Sequence, residues 1–219
     1  MPSLRYVLWD NDGVLVDTEE GYFRATQRAL AECGIDLDRA RYMSRRAQGL
    51  SSWDLPEVRD LPRGTVERQR AARDAYYQQF IRGAPREIPG VLGVLTELRR
   101  SYRMAIVTTS NRLNFELLHA DGVLLRHMEF VLTREDFVDG KPAPDGYVAA
   151  LERFGAAADE AIVVEDSAQG LNAARAAGIR CVIVRNAFFR DAHAFDGAAR
   201  VLDSIVELPG TISALSKGV

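Results

Sequence analysis

Five short apolar runs recur along this chain: Tyr6–Trp9, Met104–Val107, Phe130–Leu132, Ala161–Val164 and Cys181–Val184. Each is too short for a helix and lacks the in–out alternation of a half-exposed strand, so each reads as a strand covered on both faces. The last four are interleaved with helical stretches at about 90–100, from about 112, at about 144–154 and from Ala168 to Ala177, the last closed by Gly178 as a C-cap. Strands alternating with helices specify an α/β fold built on a doubly wound parallel sheet. Only the first strand breaks the rhythm. A polar, helical stretch of about 18–84 without a strand separates it from the rest, with Asp17 and Glu20 placed as a capping box at its start and Pro85 and Pro89-Gly90 at its end. Within residues 65–82, Ala72, Tyr76 and Phe80 fall on one side. The predicted organisation is an α/β core of residues 1–14 and 85–219, with a small all-helical cap of residues 15–84 inserted after the first strand. A cap tethered there would close over a site at the strand ends.

Composition excludes several classes. Of 219 residues 47% are apolar, enough for a sizeable core, and the formal net charge of -3 leaves no electrostatic footprint for nucleic acid or an anionic membrane. No apolar run approaches the roughly 18 residues that span a bilayer. Cys33 and Cys181 lack metal or redox spacing and read as reduced, buried thiols. With no signal-peptide pattern at the N-terminus, the expectation is a cytoplasmic monomer or weak homodimer whose partner is a small molecule.

The polar residues collect where the strands end. Asp10 and Asp12 follow the first strand, Thr108-Thr109-Ser110-Asn111 the second, the loop Asp139-Gly140-Lys141-Pro142 the third and Glu165-Asp166-Ser167 the fourth. In a parallel sheet these loops meet at one edge. Lysine occurs only at Lys141 and Lys217, every other cationic chain being arginine, which makes the placement of Lys141 informative. Clustered carboxylates repel and imply a cation; oxygen ligands alone select a hard one such as Mg²⁺. Lysine, hydroxyls and loop N–H groups suit a phosphate, an ionised aspartate is a competent nucleophile at phosphorus, and a carboxyl two residues on can transfer protons.

Asp10-Asn11-Asp12-Gly13-Val14, Thr108, Lys141-Pro142-Ala143-Pro144-Asp145 and Glu165-Asp166-Ser167 resemble, in order and spacing, the four motifs of the haloacid dehalogenase superfamily. The similarity is greatest to its phosphoglycolate phosphatase and β-phosphoglucomutase-like branch with a helical cap, and covers about residues 4–207. The resemblance implies Asp10 as nucleophile and Mg²⁺ ligand, and Asp12 as general acid/base that lends its backbone carbonyl to the metal. Thr108 and Lys141 would hold the phosphoryl group; Glu165 and Asp166 would bind metal directly or through water. Thr109, Ser110 and Asn111 join the phosphate-binding candidates. So does Asn11, which stands where this branch usually has an apolar residue. Arg45, ahead of Gly49-Leu50-Ser51, is a candidate for an anionic substrate group, with a solvated helical face as its alternative. His119, His127 and His193 read as structural or exposed, and Trp53, Tyr76 and Tyr77 as cap core.

Several chemistries share this fold. Halide displacement needs no acid at Asp12, and phosphonate cleavage needs a cap lysine that this chain lacks. The mutase reading is second choice: mutases of this branch carry a cap histidine where Tyr22 stands and a basic residue where Ser52 stands. A receiver-like phosphoaspartate switch would share the Asp, Thr and Lys but not this motif order or so long an insert. The expected activity is hydrolysis of a small phosphate ester, such as a sugar phosphate or phosphoglycolate, through an aspartyl-phosphate.

Overall fold

The computed structural model describes residues 3–48, 50–82, 86–186 and 195–217. Strand β1 (Tyr6–Trp9) is followed by helices α1 (Glu19–Ala31), α2 (Arg39–Ala47), α3 (Pro56–Arg59) and α4 (Arg63–Ile81). The alternation then runs α5 (Val91–Leu98), β2 (Arg103–Val107), α6 (Arg112–Leu118), β3 (Phe130–Leu132), α7 (Asp145–Phe154), β4 (Ala161–Glu165), α8 (Ala168–Ala176), β5 (Arg180–Val184), β6 (Arg200–Leu202) and α9 (Leu208–Ser216).

The strands form one six-stranded sheet in the order β3-β2-β1-β4-β5-β6. Every neighbouring pair is parallel. The uninterrupted apolar runs have the cause expected of them. Val7, Trp9, Ile106, Val164 and Val182 point to one face, where Val94 and Leu95 of α5 and Leu208 and Ile212 of α9 cover them. Tyr6, Leu8, Ala105, Val163 and Ile183 point to the other, under Tyr147, Ala150 and Leu151 of α7 and Leu171 and Ala174 of α8. Alternate side chains leave a strand in opposite directions, so a strand roofed on both sides must be apolar throughout. The expected doubly wound parallel sheet is therefore present. β6 and α9 add an edge that the apolar pattern did not announce.

The chain divides into two compact units: Met1–Asp17 with Glu87–Val219, and Thr18–Arg86. Residues 84 and 85, where the sequence suggested a boundary, lie outside the described residues, as do Gly49 and His193. In the Thr18–Arg86 unit α1 packs on α4, with the rings of Tyr22 and Tyr77 stacked at 3.9 Å. The expected stripe Ala72, Tyr76, Phe80 is only half-buried, and α4 buries Tyr77 and Ile81 instead. Tyr76 is drawn outward because its hydroxyl bonds Glu32 and its ring carries Arg28 at 3.8 Å. Nor does Asp17 cap α1. Thr18 is the N-cap, without a side-chain cap bond, and Glu20 is spent on Arg24 and Arg39. Glu19 is buried with Tyr42 Oη at 2.6 Å and Arg46 Nε at 3.0 Å. Cys181 is buried and Cys33 half-buried, both as thiols. Among the described residues no helix is long and apolar enough to cross a membrane.

Candidate active site

β1 lies at the switch point of the sheet, with β2 on one side and β4 on the other, and ligands of open α/β sheets bind outside the strand ends at such a point. The register places Trp9 level with Ile106 and Val164. One residue on, Asp10 is level with Val107 and Glu165, and its backbone N–H donates to the Val164 carbonyl at 2.9 Å. Asp10 is thus held by the ladder, buried as a residue, while its side chain emerges at the sheet edge.

Lys141, from the loop before α7, reaches this carboxylate. Its Nζ donates to Asp10 Oδ1, to Glu165 Oε1 at 2.7 Å and to the Val107 carbonyl at 3.1 Å. Burial by itself would depress the Lys141 ammonium, but Asp10 and Glu165 more than offset this and hold its pKa above the ordinary value. For Asp10 the balance goes the other way. Burial raises its carboxyl, Lys141 only partly opposes this, and Glu165 and Asp12 raise it further, to about 7.

Glu165 is wholly buried and saturated with donors. Oε1 takes Lys141 and the Tyr147 hydroxyl at 2.9 Å. Oε2 takes the N–H of Asp166 at 3.1 Å and of Ser167 at 3.3 Å, and the Ser167 hydroxyl at 3.0 Å. Ser167 also caps α8 through the Gly170 N–H at 3.0 Å. Gly170 is required here: a Cβ on it would lie 1.8 Å from Glu165 Cδ. Asp166 Oδ2 accepts from Asn186 Nδ2 at 3.1 Å. It also crowds Gly13, whose φ of +86° and absent Cβ let the turn after β1 pass.

Asp10, Glu165 and Asp166 each present an oxygen within 4.8 Å of the others. Three buried carboxylates and one ammonium leave an excess of negative charge, and the donor set is all oxygen, so these residues fit a hard divalent cation. Glu165, with its oxygens already engaged, is placed to brace Lys141 and the β4–α8 turn as much as to meet a metal.

Asp12 lies on the turn after β1. Its Oδ2 accepts from Ser110 Oγ at 2.7 Å, Asn11 Nδ2 at 3.2 Å and Thr108 Oγ1 at 3.3 Å. Thr108 Oγ1 in turn accepts the Ser110 N–H at 3.0 Å. Asn111 spends its side chain capping α6 through the Asn114 N–H at 2.9 Å, and Thr109 is exposed. Arg45 belongs to the Thr18–Arg86 unit, where Nε and Nη2 both donate to the Ser51 carbonyl at 2.9 and 2.7 Å. Tyr147, Asn186 and Gly170 carried no role in the sequence reading, and His119, expected to be structural or exposed, is buried. The strongest clue to any of them was Tyr147, six residues after Lys141 and on the first turn of a helix.

A family model described as haloacid dehalogenase-like hydrolase matches residues 7–184. Protein CbbY of Cereibacter sphaeroides is 31% identical, over 93% of this chain and 94% of that protein. The phosphorylated carbohydrates phosphatase of Thermotoga maritima is 29% identical, over 79% of this chain and 81% of that protein. The crystal structure of CbbY from Rhodobacter sphaeroides in complex with Xylulose-(1,5)bisphosphate matches with a TM-score of 0.79 at 26% identity, covering 94% of this chain and 96% of that one. Motif order, sheet topology and these likenesses agree: the chain belongs to the haloacid dehalogenase-like hydrolase family.

Proposed function

We propose that this hydrolase is a Mg²⁺-dependent phosphoric monoester hydrolase that cleaves a small phosphorylated metabolite of the sugar phosphate or phosphoglycolate kind through an aspartyl-phosphate on Asp10. The observation that carries the reading is the buried ion pair of Lys141 with Asp10, set against the oxygen cluster of Asp10, Glu165 and Asp166. It provides a nucleophile, a cation to offset phosphoryl charge and a hard-metal site within one hydrogen-bonded group. The similarity to a phosphorylated carbohydrates phosphatase and to a CbbY crystallised with a sugar bisphosphate supports a phosphorylated carbohydrate as substrate.

A carboxylate oxygen of Asp10 attacks phosphorus as the ester P–O bond breaks, and Asp12 gives its proton to the departing alkoxide. Water then attacks the aspartyl-phosphate. Asp12, now ionised, takes the water's proton; the P–O bond to Asp10 breaks, releasing phosphate and restoring the carboxylate. Lys141 and the hydroxyls of Thr108 and Ser110 hold the phosphoryl oxygens, with Asn11 and the Thr109–Asn111 loop beside them. Bound through Asp10, Asp166 and the Asp12 carbonyl, with Glu165 adjacent, Mg²⁺ would neutralise charge on the transferring group.

The mutase reading is not favoured. Tyr22 is packed flat on Tyr77 and Ser52 is buried, so neither offers a base or a cation to a second sugar position. Asp10→Asn, folded as judged by its melting curve, is expected to abolish turnover of p-nitrophenyl phosphate; EDTA is expected to stop the wild type and Mg²⁺ to restore it. Turnover that survives either treatment refutes the mechanism, and a Mg²⁺-supplemented panel of sugar phosphates, phosphoglycolate and nucleotides reads the substrate class.

A further inference from the structure

We propose that Arg112 is a positioning residue: it clasps the loop that carries Thr108 and Ser110 to the loop that delivers Lys141, and so sets the span across which the two loops grip one phosphoryl group. The inference rests on the phosphatase reading.

β2 and β3 pair in register from Ala105 and Phe130 to Val107 and Leu132. The last bond of this ladder is the Thr108 N–H on the Leu132 carbonyl at 2.9 Å. Beyond it the two chains leave the sheet, one through Ser110 into α6, the other through Thr133 and an irregular stretch to Lys141. Strand pairing no longer fixes their separation. The proposed chemistry nevertheless needs hydroxyls from one chain and an ammonium from the other on the same small group.

Polar bonds take over where the ladder stops. The Ser110 carbonyl accepts the Arg134 N–H at 3.1 Å. The Arg112 N–H lies 3.1 and 3.0 Å from the two oxygens of Glu135, and Arg112 Nη2 lies 2.7 Å from both oxygens of Asp136. Asp136 is itself anchored: its Oδ2 accepts the Thr133 N–H at 2.7 Å and the Thr133 hydroxyl at 3.0 Å, and Thr133 is buried at the end of β3. The guanidinium therefore joins the start of α6 to a carboxylate fastened to the sheet. The ties continue towards Lys141. Arg134 Nη1 and Nη2 hold the carbonyls of Phe137 and Val138 at 2.8 and 2.9 Å. Gly140, next to Lys141, rests on the other loop, where a Cβ would lie 3.3 Å from Thr109 Cγ2. Val138 is 79% exposed, so this stretch has little core to fix its path and depends on such bonds.

An ion pair at the surface can also be structural only. The Arg112 and Asp136 side chains are 47% and 29% exposed, and a pair this open to solvent adds little to stability. A structural role predicts that activity and melting temperature change together. A positioning role predicts that activity falls while the melting curve barely moves, because small displacements of preorganised contacts are costly to the transition state.

The experiment is a double-mutant cycle on the full chain with p-nitrophenyl phosphate and Mg²⁺, in about 0.5 M NaCl to screen long-range attraction of the substrate to Arg112. Arg112→Met is expected to melt close to the wild type and to lower kcat about tenfold, with KM changed less than about threefold. In a Ser110→Ala background the same substitution is expected to lower kcat less than about threefold, since the hydroxyl it helps to place is gone. Arg112→Gln, which keeps one donor for Asp136, repeats the cycle if the methionine variant melts below the assay temperature. An unchanged kcat, a change confined to KM, or the same fall in both backgrounds overturns the inference. Wild-type turnover that is lost in Asp10→Asn upholds the phosphatase reading whatever the cycle gives. A wild type that turns over no phosphate ester refutes that reading and the inference with it.

Discussion

Replacing Lys141 with methionine keeps the length of the side chain and removes its charge from between two carboxylates. The Lys141, Asp10 and Glu165 side chains are 9%, 10% and 0% exposed, so solvent screens little of what is lost. Breaking a buried pair by deleting one partner costs about 3–5 kcal/mol. The pH dependence identifies the cause. In the wild type Asp10 is pushed from 3.8 up to about 7. A carboxyl whose folded pKa is raised binds its proton more tightly in the folded state, so its contribution to stability falls as pH rises through that window and is level above it. Lysine holds this value down; without it the Asp10 pKa climbs further. Above pH 7 the variant therefore goes on losing about 1.4 kcal/mol per pH unit while the wild type does not. The gap between the two should widen between pH 6 and pH 8 by about 1.4 kcal/mol, or roughly 3–6 °C in Tm for a chain of this size. Thermal melts of both proteins in metal-free buffer at the two pH values provide the measurement. A gap that is the same at both would mean that Lys141 contributes packing and not charge, and a gap that narrows would mean that the sign is wrong.

Two further outcomes follow from the same carboxylates. Gly170→Ala places a methyl 1.8 Å from Glu165 Cδ, against a carboxylate pinned by Lys141, Tyr147 and Ser167; it should cost about 1–3 kcal/mol and most of the activity, and a variant that melts and turns over like the wild type would show that Glu165 yields freely. Mg²⁺ competes with the proton on Asp10, so it should raise Tm more at pH 8 than at pH 6; equal shifts in melts with and without the ion would place the metal elsewhere.

Much of the fold was legible because burial on both faces leaves a one-dimensional trace. Val7, Trp9, Tyr6 and Leu8 had to be apolar whichever way they pointed, and the same holds for Ile162 and Val163. Asp10, Asp12, Lys141 and Asp166 were legible because polar groups interrupt such runs only at strand ends. Local chemistry was a poorer guide where several partners compete. Glu20 fitted a capping box but bonds Arg24 and Arg39. Short edge strands also escaped: β6 is three residues, two of them exposed, and has no apolar signature.

Periodicity and the polar residues that interrupt apolar runs specify the first five strands and the helices between them, the helical insertion after β1, and the set of residue types gathered at the strand ends. How those residues share their bonds is set by the folded chain. Glu165 is filled by Lys141, Tyr147 and the β4–α8 turn, Asp166 is met by Asn186, and Asn11 faces a histidine 108 positions away. A hydrogen bond depends on distances of a fraction of an ångström between groups remote in sequence, and one-dimensional spacing carries no record of it.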